Sequence, residues 1–334
     1  MRLPHFEHLK PASLQECLAA LAESGDEAGL MAGGTDLLCN MKFGVIKPRK
    51  VVSIGSIPEL CQVSEDGDGN LQIGACATLS DLVQNPLLSA SFPALHDAIK
   101  SVGSVHVRNM ATIGGNICLA PRCWYYNQSQ QWRRALTACH REGGIECHAI
   151  GGAQRCHAIN SSDTAPVLMA LDAQVCLRRK DGERWLPLRN FFRDDGNRHT
   201  VLEAGEMLTC IVIPKGSAKH RSLFIKVQLR RGLDFAIGSV GASLGGNGQG
   251  KEITLVMNSL CSAPLILAKA AQAIMEEGLN DAAIAKAATA ARGELGTVTN
   301  LFTSAGYKRQ IVEVLVKRAL TELKTDVVAR RKPH

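Results

Sequence analysis

Ala32-Gly33-Gly34-Thr35-Asp36 and Thr112-Ile113-Gly114-Gly115-Asn116 are two short, widely separated segments built on one plan: a glycine pair beside a hydroxyl and a carboxylate or amide. The first stands between an apolar strand and a helix opened by Leu37, Leu38 and Met41, where free amide hydrogens and a helix N-terminus can cradle phosphate oxygens. The second repeats that chemistry with side-chain-free residues that let a ligand or another backbone come close. Either loop alone reads as a tight structural turn, whereas two in one chain point towards a dinucleotide. Neither matches G-x-G-x-x-G, which argues against a Rossmann fold. A third glycine cluster, Gly245 to Lys251, resembles a P-loop, but Glu252 stands where a magnesium-binding Ser or Thr is required. It lies between strands and reads as a flexible hairpin turn.

Around these loops the pattern alternates helix and strand. Ser13 and Glu16 form a capping box ahead of Leu14, Cys17, Leu18 and Leu21, and Gly25 closes a helix expected over residues 13–24. A strand through P-R-K-V-V-S-I-G completes a small α/β unit near residue 55. Residues 60–78 read as a hairpin and 80–102 as two helical stretches, and Asp181-Gly182 marks a second hairpin. Residues 222–262 read as antiparallel strands, and the Ala- and Leu-rich tail as helix, with Tyr307, Ile311, Val314 and Leu315 as its apolar stripe.

The chain has 334 residues, 46% of them hydrophobic, enough for two or three domains with full cores. Its net charge of +7 is spread over separate short runs such as Arg178-Arg179-Lys180, too dispersed to suggest nucleic acid. No apolar stretch is long enough to cross a bilayer. Twelve cysteines behind an N-terminus without an apolar leader core point to a reducing, cytoplasmic setting.

Four of those cysteines, Cys123, Cys139, Cys147 and Cys156, fall in a polar, basic stretch poor in aliphatic residues, which has little means to bury a core of its own. Three readings compete. Long gaps suit wrapping a four-iron cube. The doublets Cys139-His140, Cys147-His148 and Cys156-His157 suit a mixed zinc site, although a close cysteine pair is missing. Disulfides are the third, which an N-terminus without an apolar core argues against, and buried or incidental thiols are the default behind all three. Trp124, Tyr125, Tyr126 and Trp132 are expected to pack around whatever this stretch holds, and the other eight cysteines read as ordinary thiols.

In one order, A-G-G-T-D (32–36), R-N-M-A-T-I-G-G-N-I (108–117), S-S-D-T-A-P-V-L-M-A-L-D-A (161–173) and F-I-K-V-Q-L-R-R-G-L-D-F-A (224–236) resemble the FAD-binding subunits of the xanthine dehydrogenase and molybdenum hydroxylase family. The similarity spans essentially the whole chain. It implies an α+β architecture: a two-subdomain FAD-binding fold of the vanillyl-alcohol oxidase (PCMH) type with an iron–sulfur loop insertion, then an α+β C-terminal domain of the CO dehydrogenase flavoprotein type. The units would be residues 1–55, residues 56–215 with the insertion at about 122–160, and residues 220–330. Leu30, Met31, Ala32, Gly33, Gly34, Thr35, Asp36 and Leu37, with Thr112, Ile113, Gly114, Gly115 and Asn116, would contact FAD, chiefly its pyrophosphate. Asp163 and Lys226 match FAD-contacting positions, although by residue type alone they read as a helix cap and a solvated strand lysine. Arg230, Arg231 and Asp234 match a motif whose role the resemblance leaves open.

Most members of the family have no insertion between T-I-G-G-N and S-S-D. An insert with four such cysteines resembles that of a reductive branch, in which they hold an additional [4Fe–4S] cluster. That resemblance implies reductive removal of the phenolic hydroxyl of 4-hydroxybenzoyl-CoA to give benzoyl-CoA, in anaerobic breakdown of phenolic compounds. It also implies a molybdopterin-containing catalytic subunit, a small subunit with two [2Fe–2S] clusters, reduced ferredoxin as donor, and a dimer of heterotrimers. This chain would carry electrons and hold no catalytic residue. Two alternatives stand beside it: the flavin subunit of an oxidising molybdenum hydroxylase with an extra cluster, and a zinc-stabilised docking subunit without flavin.

Overall fold

The computed structural model describes residues 2–230, 232–246, 248, 250–296 and 303–325. Its first unit is a three-stranded parallel sheet in which Lys50–Ser53 lies between Glu7–Leu9 and Ala28–Met31. The helix Leu14–Ser24 is capped by the Ser13 hydroxyl, which accepts from the Glu16 amide at 3.2 Å, and it ends at Gly25. Its buried Cys17, Leu18 and Leu21 close a small core with Val52, Ile54, Ile57 and Leu60. Each such aliphatic side chain, fully buried, contributes roughly 1.5–3 kcal/mol.

The second unit is a five-stranded antiparallel sheet ordered Val63–Glu65, Leu71–Gly74, Met207–Ile213, Gln174–Arg179, Gly182–Pro187. Between its strands run three short helices, Leu79–Gln84, Pro86–Ser91 and Pro93–Lys100, where the sequence predicts two. Pro86 and Pro93 explain the extra break, since proline starts a helix readily but cannot continue one. The largest hydrophobic core joins this sheet to those helices and to the helix Ala165–Ala170.

The third unit is a four-stranded antiparallel sheet ordered Leu265–Ile266, Ile253–Asn258, Gly238–Leu244, Arg221–Val227, covered by the helices Ala268–Glu277, Asp281–Glu294 and Ala305–Thr325. The glycine cluster at 245–251 is indeed the connection between two of these strands, with Asn247 and Gln249 outside the described residues. On the last helix the apolar stripe differs from the expected one. Ile311 and Leu315 are buried, but Tyr307 and Val314 face out, and Val312, Val316 and Ala319 take their place. Among the described residues no helix is long and apolar enough to cross a membrane.

Candidate functional site

The two glycine loops meet. Gly33 lies so close to the segment leading into the second loop that a Cβ there would stand 1.6 Å from the carbonyl oxygen of Met110. Gly114 is pressed against Ala75, whose Cβ and carbonyl oxygen would lie 2.6 and 2.7 Å from an added Cβ. Any larger residue at either position would force the backbones apart. Thr112 caps a five-residue helix, Ile113–Ile117, by accepting from the Gly115 amide at 3.2 Å. Leu30 and Met31 end a strand, and Leu37 opens the helix Leu37–Lys42 after the turn of Ala32 to Asp36. The two turns therefore sit side by side, the second held by its own amides: those of Ile113 and Gly114 donate to the carbonyls of Ala77 and Ala75 at 3.1 and 2.9 Å.

Asn116 anchors the second loop from beneath. Its buried Oδ1 accepts from the hydroxyls of Ser162 and Thr164 at 2.8 and 2.7 Å. From the C-terminal sheet, Asn258 Nδ2 donates to Asn160 Oδ1 at 3.0 Å and to the Ser162 carbonyl at 2.7 Å. Beside this network Lys226 Nζ donates to Asp163 Oδ2 at 2.7 Å and to the Ser101 carbonyl at 3.1 Å. Both side chains of the ion pair are buried, so neither the helix cap nor the solvated lysine suggested by residue type describes them. Burial pushes the Asp163 carboxyl up to about 6, and Lys226 only partly opposes it. Lys226 and Asn258 both pair with Ser239 on the middle strand, so the three share one face of the sheet. Ser239 Oγ, Asn258 Oδ1 and Ser259 Oγ are buried without a hydrogen-bond partner among the described residues. Native interiors seldom leave such groups unpaired, and their grouping fits a polar ligand between the loops and this sheet.

The cysteine stretch leaves and re-enters the fold at one point. Arg122 and Ile159 exchange backbone hydrogen bonds at 2.7 and 2.8 Å. The Arg122 guanidinium pairs with Asp36 of the first glycine loop and lies over the Phe235 ring at 5.4 Å. Within the insertion the Arg133 side chain is buried, donating to Glu142 at 2.7 Å and to the Gly44 carbonyl at 2.8 Å. Arg133 and Arg141 both lie against the Tyr126 ring, at 5.5 and 4.1 Å. Of the four expected packing aromatics only Tyr126 is buried, while Trp124 and Trp132 are largely exposed.

Cys123, Cys139, Cys147 and Cys156 all line one small cavity of about 20 Å³, together with His140 and His157. All four are free thiols. Burial raises the Cys123 thiol and pushes Cys156 up to about 11. Among the described residues no three His, Cys, Asp or Glu side chains are grouped closely enough to hold a metal ion, and this bears on the iron–sulfur reading as it does on the zinc one. Of the eight remaining cysteines, Cys39 and Cys61 are exposed.

A second cavity, of about 610 Å³, opens between the insertion and the C-terminal sheet, with Arg122, Trp124, Ser161, Phe235, Ile237 and Ser259 among its walls. Such a size is usual for a cofactor site. Arg230 and Asp234 also border it, whereas Arg231 lies outside the described residues. Reading by residue type singles out neither Asn160, Asn258 nor Ser259 as a site residue; the signal that could have found the two asparagines is an amide set in apolar strand or turn surroundings.

Paired glycine loops beside a seam of unpaired buried polar groups form a site for a polar ligand. Residues 4–216 match the family described as the FAD binding domain in molybdopterin dehydrogenase, and residues 224–323 match the CO dehydrogenase flavoprotein C-terminal domain. The chain belongs to this family of FAD-binding molybdopterin dehydrogenase subunits. It is 26% identical to the glyceraldehyde dehydrogenase medium chain of Sulfolobus acidocaldarius, over 96% of this chain and 99% of that one. It is likewise 26% identical to the carbon monoxide dehydrogenase medium chain of Hydrogenophaga pseudoflava, over 95% and 96%. The solved carbon monoxide dehydrogenase of Hydrogenophaga pseudoflava superposes with a TM-score of 0.80, covering 96% of this chain and 98% of that one at 26% identity. Quinoline 2-oxidoreductase of Pseudomonas putida 86 shares the fold, with a TM-score of 0.77 at 22% identity, over 98% and 100%.

Proposed function

We propose that this chain is the FAD- and [4Fe–4S]-carrying electron-transfer subunit of a 4-hydroxybenzoyl-CoA reductase, its β subunit. The observation that carries the reading is the convergence of four cysteines, far apart in sequence, on one cavity beside the flavin cradle. A cluster there would be held by Cys123, Cys139, Cys147 and Cys156 as thiolates, and its iron would offset the burial that otherwise keeps Cys123 and Cys156 protonated. FAD would be held by Leu30 to Leu37, Thr112 to Asn116, Asp163 and Lys226. When bound, the flavin supplies exchange of electrons singly or in pairs, and the cluster an entry for low-potential electrons. Residues 1–55, 56–215 and 220–330 would be the working units. The partners would be a molybdopterin-containing catalytic subunit, a small subunit with two [2Fe–2S] clusters and reduced ferredoxin, in a cytoplasmic dimer of heterotrimers.

A second reading has support in the relatives, whose names are those of dehydrogenases. The chain would then serve an oxidising molybdenum hydroxylase, with the extra cluster feeding an unusual acceptor. Iron, sulfide and flavin analysis of the anaerobically purified protein tests the shared part. Four irons and one FAD per chain are expected, and Cys139→Ser should remove the iron while FAD stays bound. Zinc in place of iron, or unchanged iron in the variant, would defeat the cluster assignment. Reduction of 4-hydroxybenzoyl-CoA by reduced ferredoxin in the purified complex separates the two directions.

A further inference from the structure

We propose that Cys176 and Cys210 form a dithiol that hydrogen peroxide converts to a disulfide, and that the closed bond disturbs the second glycine loop and weakens what binds there. The two residues face each other directly on the neighbouring antiparallel strands Gln174–Arg179 and Met207–Ile213. Residues opposed in this way stand about 4.5 to 5.5 Å apart at Cα, inside the span that a disulfide bridges. Their side chains share one face of the sheet. Val175 and Ile211, the pair beside them, belong to the main hydrophobic core, so alternation turns both thiols to the opposite side. There the Cys210 thiol donates a hydrogen bond to the Cys176 sulfur, which lowers the Cys176 thiol against its burial, with Thr209 and Arg178 acting in the same direction. The same bond raises Cys210. Cys176 is therefore the thiolate of the pair and Cys210 its resolving thiol. Cys210 keeps 8% of its surface exposed, which leaves the pair within reach of an oxidant little larger than water.

The Cys176 thiolate attacks one peroxide oxygen and breaks the O–O bond, leaving a sulfenic acid on Cys176 and a hydroxide that takes up a proton as water. The Cys210 sulfur then attacks the sulfenic sulfur: the S–S bond forms, the S–O bond breaks, and the hydroxyl leaves with the Cys210 proton as a second water. Two thiols give up two electrons in all, and one peroxide is reduced to two waters. The consequence lies in the bulge beside the pair. Beyond Cys176 the register slips so that Leu177 pairs with Leu208, and Thr209 is the extra residue. Thr209 Oγ1 donates to the Cys176 carbonyl at 3.2 Å, and the Thr209 carbonyl accepts from the Ala75 amide at 2.9 Å. Ala75 in turn accepts from the Gly114 amide at 2.9 Å and is the residue that Gly114 is pressed against. Closing the S–S bond draws the sulfurs from hydrogen-bond contact to covalent distance, and the bulge is the part of the ladder free to take up the shift. Thr209 moves, and Ala75 and the loop of Gly114 move with it.

The effect on binding rests on the flavin reading above, whereas the bond itself does not. The full chain is treated with hydrogen peroxide, its remaining free thiols are alkylated under denaturing conditions, and its peptides are mapped by mass spectrometry. A Cys176–Cys210 link is expected, lost again on reduction with dithiothreitol. Titrated with FAD, the oxidised chain should bind roughly fivefold more weakly, the worth of one hydrogen bond, and reduction should restore the affinity. Cys210→Ala cannot form the link, so peroxide should leave its affinity unchanged, which separates this pair from the other thiols that peroxide attacks. Reversal by dithiothreitol in the parent makes the same test without a variant. Absence of the link at a peroxide dose that oxidises the exposed Cys39 would overturn the proposal. So would a link that leaves FAD affinity unchanged, or an equal loss of affinity in Cys210→Ala. If the untreated chain took up no FAD, the flavin reading would fail, and the peptide map would still report on the bond.

Discussion

The cradle formed by the two glycine loops and the cysteine insertion are neighbours held by opposite means. The cradle is set by backbone contact and buried hydrogen bonds: Gly33 against Met110, Gly114 against Ala75, and Asn116 beneath two hydroxyls. In the insertion, residues 122–160, only Tyr126, Arg133, Cys156, Ala158 and Asn160 are buried. Its internal order comes from two arginines on one tyrosine, an ion pair and a shared cysteine cavity. A region specified by steric fit should fail as a unit when a methyl group is added. A region specified by charge and thiols should fail alone. Gly33→Ala breaks the first: with its Cβ against the Met110 carbonyl, the two loops must separate. A cost on the order of 4 kcal/mol is expected in denaturant unfolding, together with loss of FAD binding. An unchanged unfolding midpoint would show that the loops are not locked together.

Arg133→Ala sharpens the other side. It strips Glu142 and the carbonyls of Gly44 and Gln128 of their donor in a place where the arginine side chain is buried. Breaking such a pair costs about 3 kcal/mol. The loss should be confined to the insertion, seen as new protease cleavage between residues 123 and 157 and loss of iron, while FAD stays bound. Loss of FAD in this variant would mean that insertion and cradle form one cooperative unit.

The same contrast governs what could be read in advance. Local signals held: the Ser13 cap, the turn at Asp181-Gly182 and the strand before Gly33 rest on residues close in sequence. Where the partner is distant, the reading from residue type failed. Lys226 reads as a solvated strand lysine until Asp163, which lies on another unit, is folded against it. Ser259 carries no pattern at all, because its φ is imposed by Asn258 and by the network behind it. On the last helix the expected stripe was right at Ile311 and Leu315 and wrong at Tyr307 and Val314. Choosing Tyr307 and Val314 treated apolar character as burial, while the helix turns Val312 and Val316 inward. That Cys123, Cys139, Cys147 and Cys156 belong together could be read from their shared polar stretch, but not how their side chains are arranged around the cavity, since gaps of that length place no constraint on direction.

The smallest of the expected effects is also the one that tests the cradle's electrostatics by itself. In the folded, flavin-free chain burial pushes Asp163 up to about 6, above its unfolded value near 4, so the native state binds the proton more tightly. Stability from this group is therefore fully present below about pH 4. It falls as the pH rises through about 6 and is flat beyond, a total change of about 2 to 3 kcal/mol. Asp163→Asn cannot titrate. Urea unfolding of both proteins between pH 4 and 8 should show the parent losing ground to the variant across that window. Parallel pH profiles would mean that Lys226 holds the carboxylate ionised at every pH, and the cradle would then carry a permanent buried ion pair. That would bring the cradle closer to the insertion than their burial suggests, since Arg133 and Glu142 would have an equivalent beneath the glycine loops. A slope confined to the parent would instead keep the two regions distinct, one stabilised by charge and the other burdened by it.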